Sequence, residues 1–263
     1  MHERSVTNAM DRRSTLLNRL DAIGHSLERS ESALALIGLG SVGRELNRLD
    51  DHSDLDFFVI VESGRKRAYL DDLSWLSAAH PLSFTFLNTD DGYKFLFADG
   101  IYGEMAVFEP NELTTAVYSP GRLVWRREDV PESWAAPHNW PPSRRQPSVE
   151  WTLGEALTNL YVGLSRFRRG EKLSACRFIQ HYAVDRVLDL ISWSSQETTV
   201  AADPFDMPRR FEQRYPEPAQ TLPKFMQGYE RSIESANAIL EWLDARYEVN
   251  PAMKEAILSL ASA

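Results

Sequence analysis

The spacing of hydrophobic residues changes character near residue 128. Before that point, apolar runs of strand length alternate with helical patterns, which predicts a mixed α/β region. Its first helix is predicted from an apolar stripe: Leu16, Leu17, Leu20, Ile23 and Leu27. Its strands are predicted in the runs ALALIG, DLDFFVIV, PLSFTFLNT, YKFLF and IYGEMAVFE. We also expect a short helix after ALALIGLGS, a helix in RAYLDDLSWLSAA and a hairpin at the turn ADG.

Helical spacing dominates the chain after about residue 148. Apolar residues recur at helical intervals as far as Phe167, the segment RRGEK interrupts them, and the pattern resumes at Ala175. This arrangement predicts a helical hairpin. Two further helices, at roughly 221–247 and 251–261, would complete a bundle of four or more helices.

A proline-rich segment separates the two regions. The prolines of PESWAAPHNWPPSRRQPS disfavour both a helix and a central strand, so this segment is the predicted linker. We therefore predict three parts: an α/β domain at 1–130, a linker at 131–147 and an all-α domain at 148–263.

Composition narrows the classes of function. The 263 residues carry a formal charge of −9, whereas binding to nucleic acid needs clustered Lys and Arg, so nucleic acid is not the expected partner. No apolar run reaches about 18 residues, and the N-terminus lacks the apolar core of a signal peptide, which predicts a cytoplasmic protein with no membrane partner. The one cysteine, Cys176, cannot form an internal disulfide and is expected to be a small buried side chain.

Two features of the stretch GLGSVGRELNRLDDHSDLDFFVIV point to chemistry. The first is the turn at Gly40 and Ser41, where glycine lets a ligand approach the backbone and the N-terminus of the expected short helix could hold phosphate oxygens. The second is the pair Asp54 and Asp56, whose i, i+2 spacing on a strand places both carboxylates on one face. Mg²⁺ between their oxygens would relieve the repulsion. The alternative is a plain turn beside a solvated strand edge.

The sequence GS…SDLDFFVIV resembles the signature of the nucleotidyltransferase superfamily that includes DNA polymerase β and the antibiotic nucleotidyltransferases. That signature combines Gly-Ser, an acid-x-acid pair and a third acid on a later strand. The segment YKFLFADGIYGEMAVFEPNEL is similar to part of the lincosamide nucleotidyltransferases, which makes Glu104 the matching third acid, and LYVGLSRFRRGEKLSACRFIQ resembles their C-terminal helical segment. The resemblance implies an α/β (α+β) nucleotidyltransferase domain with a small mixed sheet, followed by an all-α helical-bundle domain.

The resemblance also implies a reaction. It assigns two sets of residues: Asp54, Asp56 and Glu104 to two Mg²⁺ ions, and Gly40, Ser41 and Ser53 to a nucleoside triphosphate, with ATP as the expected donor. The hydroxyl of a small, antibiotic-like molecule, such as a lincosamide or an aminoglycoside, would attack the α-phosphorus in line and release pyrophosphate. The related enzymes are consistent with a homodimer.

Several alternatives stay open at the level of the sequence. Arg168, Arg169 and Lys172 are expected to bind the triphosphate, but a solvated helix end explains them equally well. Glu104 is predicted to be the general base, with a third metal ligand and an ordinary surface residue as the alternatives. The protein could instead be a non-catalytic nucleotide-binding protein, a toxin–antitoxin-type partner or a protein nucleotidylyltransferase.

Overall fold

The structure of the chain is a computed structural model that describes residues 11–139 and 147–262. The described residues form two compact units. The division between the units falls at residues 143 and 144, which lie outside those ranges together with most of the second half of the predicted linker.

The first part of the predicted linker packs onto the first unit. Glu132–Ala135 form a turn of 3₁₀ helix, and Ala135 is buried. The hydroxyl of Tyr118 donates to the carbonyls of Trp134 and Ala136, at 2.9 and 3.0 Å. The first unit therefore continues beyond residue 130, because its last residues cover apolar surface that would otherwise face water.

Within residues 11–139, six strands form one sheet. They are β1 (Ala33–Gly38), β2 (Leu55–Val61), β3 (Leu82–Thr89), β4 (Gly92–Phe97), β5 (Tyr102–Phe108) and β6 (Arg122–Arg126). Their order is β3-β4-β5-β2-β1-β6, and β2 with β5 is the parallel pair among otherwise antiparallel neighbours in this range. The sheet is thus mixed, as predicted. Only β6 had not been predicted, because RLVWR is short and carries an arginine at each end.

Helices cover one face of the sheet. They are α1 (Arg12–Glu28), α2 (Lys66–Asp71) and α3 (Ser74–Ser77). The predicted apolar stripe of α1 is largely enclosed, with Leu16, Leu20, Ile23 and Leu27 fully buried. Phe57 of β2 and Met105 of β5 point to this helix-covered face. Burying each such side chain is worth about 1.5–3 kcal/mol, so the core fixes the register of β2 against β5.

The opposite face carries a smaller apolar cluster. Because side chains alternate along a strand, Phe58 and Ile60 point away from the helices, and they pack with residues that follow β5, among them Leu113 and Tyr118. Asp56 lies two residues before Phe58 and shares its side of the strand. We call the part of this face that carries Asp56 and its neighbours on β5 and β4 the acid face.

Two predicted helices take a different form. The helix expected after Ser41 is replaced by two separate turns of 3₁₀ helix, Gly40–Val42 and Leu46–Arg48. The helix expected in RAYLDDLSWLSAA is split into α2 and α3. Here the carboxylate of Asp72 accepts hydrogen bonds from the backbone N–H and the hydroxyl of Ser74, at 2.9 and 3.0 Å, and such local bonds compete with a continuous helix.

The described part of the second unit, residues 147–262, consists of helices and loops. Its α-helices are α4 (Val149–Arg168), α5 (Lys172–Arg177), α6 (Val184–Ser194), α7 (Phe211–Arg214), α8 (Pro216–Ala219), α9 (Leu222–Phe225), α10 (Ser232–Asp244) and α11 (Pro251–Ser262). The predicted hairpin is present, since α4 turns back into α5, which a π-helical segment at Phe178–Ala183 joins to α6. A core that includes Leu160 and Leu190 holds these helices together. The predicted fold class is therefore confirmed.

The helix predicted at 221–247 is interrupted. Gly228 has a φ of +97°, which only glycine adopts readily, and it separates α9 from α10. Gln180 of the π-helical segment is 2% exposed; its side chain donates to the carbonyl of Gly228 and accepts the Gly228 N–H, each at 2.8 Å. A buried side chain thus satisfies the backbone groups that the break leaves without helical partners.

Two expectations from composition can be compared with the structure. Cys176, expected to be buried, is only partly buried on α5. Of the helices in residues 11–139 and 147–262, none combines the length and the apolar character that crossing a membrane would need.

Candidate active site

The register of the sheet brings two of the predicted acids side by side. Asp56 of β2 is paired with Glu104 of the parallel strand β5. Neighbouring strands lie about 4.8 Å apart, so the two side chains leave the sheet from adjacent positions on the acid face. Asp54 lies where the chain enters β2, and its charge acts on Tyr102, which lies two residues before Glu104. The acids therefore gather at the edge where β2 and β5 begin.

Glu104 is held by two partners. Its Oε1 accepts a hydrogen bond from the Tyr102 hydroxyl at 2.9 Å and lies 2.8 Å from Nζ of Lys94. Lys94 faces Glu104 in the register of β4 and β5, so strand pairing sets up this ion pair. The bond to Glu104 raises the pKa of the Lys94 ammonium. Burial raises the pKa of the Tyr102 phenol, and the bond to Glu104 raises it further.

The carboxylates at the start of β2 suit a hard cation. Mg²⁺ prefers oxygen ligands, and Asp54 and Asp56 supply two carboxylates. In the part of the chain that the structure describes, however, no three acidic, histidine or cysteine side chains are grouped so that they could hold a metal ion. The predicted set of three ligands is therefore not preassembled among the described residues, and Lys94 and Tyr102 engage the carboxylate of Glu104. Asp54 and Asp56 fit the ion by the chemistry of their carboxylates, and Glu104 would have to exchange the Lys94 ammonium for it.

The turn at Gly40 and Ser41 lies beside Asp56. The backbone N–H of Leu39 donates to the carbonyl of Asp56 at 2.8 Å, and a Cβ at position 40 would lie 3.8 Å from Oδ2 of Asp56. Gly40 has a φ of +51°, which favours glycine. The prediction that a helix begins at this turn is wrong, because Gly40–Val42 form a single 3₁₀ turn. A turn of three residues has no appreciable dipole with which to attract an anion. An anion here would rest on backbone N–H groups and the hydroxyl of Ser41.

Two arginines fasten this turn to β6 and the loop before it. Nε of Arg44 donates to the carbonyl of Gly121 at 3.0 Å, and Nη2 of Arg122 donates to the carbonyl of Val42 at 3.1 Å. Arg122 is paired with Gly38 in the register of β1 and β6. Sequence reasoning missed both arginines, since their placement depends on the unpredicted strand β6. They put two positive charges next to the turn.

Ser53 is engaged by a turn of its own loop. Its hydroxyl donates to the carboxylate of Asp50 at 3.1 Å and accepts the Asp50 N–H at 3.0 Å. The backbone N–H of His52 and the hydroxyl of Ser53 lower the pKa of the Asp50 carboxyl. These bonds shape the chain just before it enters β2, and a contact of Ser53 with nucleotide stays a prediction.

The three predicted cations of the second unit all have partners within that unit. Nε of Arg168 donates to the carbonyl of Leu260 at 2.7 Å. Arg169 lies 3.3 Å from Glu171, and Lys172 lies 2.6 Å from Glu230, whose hydrogen bond raises the pKa of the Lys172 ammonium. These contacts agree with a helix end stabilised by its own surroundings. A role of the three cations in nucleotide binding stays a prediction.

Lys94 is a site residue that sequence reasoning missed although a signal was present. The turn ADG centres the hairpin of β4 and β5 on Asp99. Residues at equal distances from that centre face each other, and Lys94 and Glu104 are such a pair. Counting outwards from the turn would have placed a lysine opposite the predicted third acid.

Comparisons with known proteins add little to this geometry. No protein-family model matches the chain, and no curated protein matches it. Among solved structures, an aminoglycoside 6-adenyltransferase from Bacillus subtilis is similar at 13% identity and a TM-score of 0.31, with 94% of this chain and 97% of that chain covered. The CD-NTase CdnG from Bradyrhizobium diazoefficiens, solved in complex with GTP, is similar at 14% identity and a TM-score of 0.24, covering 96% and 99%. Scores this low do not assign a family, so any functional conclusion rests on the site.

Proposed function

We propose that the first unit is the catalytic domain of a nucleotidyltransferase. It would transfer a nucleoside monophosphate from a nucleoside triphosphate, with ATP as the expected donor, to a hydroxyl of a small molecule. The observation that carries the proposal is the pairing of Asp56 with Glu104 beside the turn at Gly40 and Ser41. Carboxylates for a cation, next to a turn that can receive phosphate oxygens, are the groups that a magnesium-bound triphosphate needs. Lincosamides and aminoglycosides are the acceptors to test first.

The proposed reaction exchanges one bond to phosphorus for another. The acceptor oxygen bonds to the α-phosphorus while the bond from that phosphorus to the oxygen that bridges to the β-phosphate breaks, so pyrophosphate leaves with the bridging oxygen. The proton of the acceptor hydroxyl passes to a base. Mg²⁺ held by Asp54 and Asp56 would neutralise the charge of the phosphates.

Glu104 is the candidate base. It lies on the strand beside the one that carries Asp56, within reach of a hydroxyl that approaches the same edge of the sheet. The Tyr102 hydroxyl and the Lys94 ammonium both engage its Oε1. They also fix the direction of the carboxylate before any substrate binds.

A non-catalytic nucleotide-binding protein is the second candidate. The ion pair between Lys94 and Glu104 favours it, because a carboxylate engaged by a lysine is a poorer ligand for a metal ion. In that case nucleotide would bind at the turn without any transfer to an acceptor.

A pyrophosphate-release assay separates these candidates. The protein is incubated with Mg²⁺, each nucleoside triphosphate in turn, and a panel of hydroxyl compounds that includes lincosamides and aminoglycosides. We expect release that depends on an acceptor, and loss of about 10²–10⁴ in kcat for Glu104→Gln with nearly normal binding of Mg²⁺ and nucleotide. Glu128→Gln, which alters an exposed acid of the same unit, is the control. Binding of nucleotide without release for any acceptor would instead support the second candidate.

A further inference from the structure

Two phenylalanines lie exposed on the edge strand β3. Phe84 and Phe86 are 53% and 54% exposed, although burying an aromatic side chain is strongly favourable. They are two residues apart, about 6.8 Å along the strand, and they point to the same side of the sheet. We call this pair the aromatic ledge.

The register continues the aromatic ledge onto the acid face. Phe86 is paired with Lys94, and Lys94 is paired with Glu104, which in turn is paired with Asp56. Residues directly opposite each other project on the same face, so these four side chains form one row across four strands. Three strand spacings separate Phe86 from Asp56, which amounts to about 14 Å.

The geometry of in-line transfer places the acceptor on the side of the ledge. The attacking oxygen and the leaving pyrophosphate must lie on opposite sides of the α-phosphorus. The turn at Gly40 and Ser41, where phosphates would bind, follows β1, which flanks β2 on the side away from β5. The acceptor therefore has to approach over β5, β4 and β3.

From this arrangement, and resting on the proposed function, we propose that the aromatic ledge is the acceptor subsite. The acceptor is a hydroxyl compound with an apolar ring or chain about 10–14 Å from the hydroxyl that reacts, the span from Phe86 to the acids.

The size of the aromatic ledge fits a small molecule better than a protein. Two half-exposed phenylalanines offer about 200 Å², whereas a specific protein interface buries at least about 1,000 Å². An extended peptide added as a strand beyond β3 would lie about 19 Å from Asp56, which is too far for its hydroxyl to react.

The test compares 4-biphenylyl β-D-glucopyranoside, whose outer ring lies within the stated span of the sugar 4-hydroxyl, with methyl β-D-glucopyranoside, which differs only in the apolar group. Equilibrium dialysis with Mg²⁺ and α,β-methylene-ATP, which cannot transfer its nucleotide, measures binding without turnover. We expect the biphenylyl compound to bind about tenfold more tightly, and the double variant Phe84→Ser, Phe86→Ser to lose this preference. The control is Leu87→Ser, since Leu87 is 44% exposed on the same strand but is paired with Tyr93 on the other face.

Equal binding of the two glycosides to the parent protein, or a preference that survives in the double variant, would overturn the assignment of the subsite. Transfer to a polypeptide but to no small hydroxyl compound would overturn it as well. The pyrophosphate-release assay reports on the proposed function separately, so the two failures are distinguishable.

Discussion

Gly103→Ala would test whether the core of the sheet sets the geometry of the acids. Gly103 lies next to Glu104 on β5 and points to the helix-covered face. A Cβ there would lie 2.4 Å from Cζ of Phe95 and 2.6 Å from the carbonyl oxygen of Leu55, whereas ordinary contacts begin at 3.4 Å. Phe95 is fully buried, and the carbonyl belongs to the backbone of β2. The buried ring of Phe95 resists displacement, and the carbonyl can yield only if β2 and β5 move apart by several tenths of an ångström.

The magnitude follows from that displacement. Overpacking of this kind costs about 1–3 kcal/mol, which corresponds to about 3–10 °C in the melting temperature of a unit of this size. Because Asp56 is on β2, the same movement changes its distance to Glu104. A misplacement that approaches 1 Å costs up to about 10²-fold in rate, so we expect kcat to fall by about 10–100-fold.

Thermal melts followed by circular dichroism and the pyrophosphate-release assay measure the two effects. The control is Gly154→Ala, because Gly154 is exposed within α4 and a Cβ there would meet no atom within 4 Å. That variant should gain about 0.5–1 kcal/mol, the usual advantage of Ala over Gly inside a helix. A Gly103→Ala protein that melts at the parental temperature and transfers nucleotide at the parental rate would refute the reasoning.

Two further predictions concern charged groups. Asp56→Asn should remove most of the stabilisation that Mg²⁺ with ATP gives the parent, about 2.7 kcal/mol at a hundredfold excess over Kd, and equal thermal shifts of both proteins would count against the metal site. Asp99→Asn should cost about 1–3 kcal/mol at neutral pH, because Arg19, only 8% exposed, lies 2.6 Å from the Asp99 carboxylate. Burial raises the pKa of the Asp99 carboxyl, but hydrogen bonds from Arg19 and Ile101 outweigh this effect and lower that pKa below 3.8. The contribution of the pair Arg19–Asp99 to the free energy of unfolding is therefore present above the unfolded-state pKa and is lost as the pH falls through the folded-state pKa. Urea melts of parent and variant should therefore converge below pH 3.8.

The periodicity of apolar residues predicted most elements of the fold, because the buried residues recur with the same spacing. The apolar stripe of α1 and the apolar residues of β1 and β2 are largely buried, so their spacing along the chain matches their positions in the core. The errors come from single hydrogen bonds instead. Asp72 ends α2 through bonds to Ser74, and Gly228 ends the run of α9 because Gln180 binds both of its backbone groups. Neither bond belongs to the hydrophobic pattern, and the partner of Gly228 is distant in sequence.

The candidate site was predicted only in part, because some of its contacts join residues that are distant in sequence. The spacing of Asp54 and Asp56 is local, so the sequence predicted their common face. The neighbour of Asp56 depends on which strand lies beside β2, and Glu104 was therefore identified through a resemblance rather than from spacing. The ion pair of Glu104 with Lys94 follows from the register of a hairpin whose turn the sequence does show.

The topology explains why these groups meet at one edge of the sheet. After β2 the chain forms α2 and α3 and then the hairpin of β3 and β4, so that β5 enters beside β2 in the same direction. The starts of both strands therefore lie at one edge, and β1, which runs antiparallel to β2, ends there in the turn at Gly40 and Ser41. Alternation along β5 then gives Gly103 to the core and Glu104 to the acid face. Successive residues of β5 therefore belong to the core and to the candidate site, so a shift of the strand moves both. This is why a substitution on the helix-covered face should change the positions of the acids.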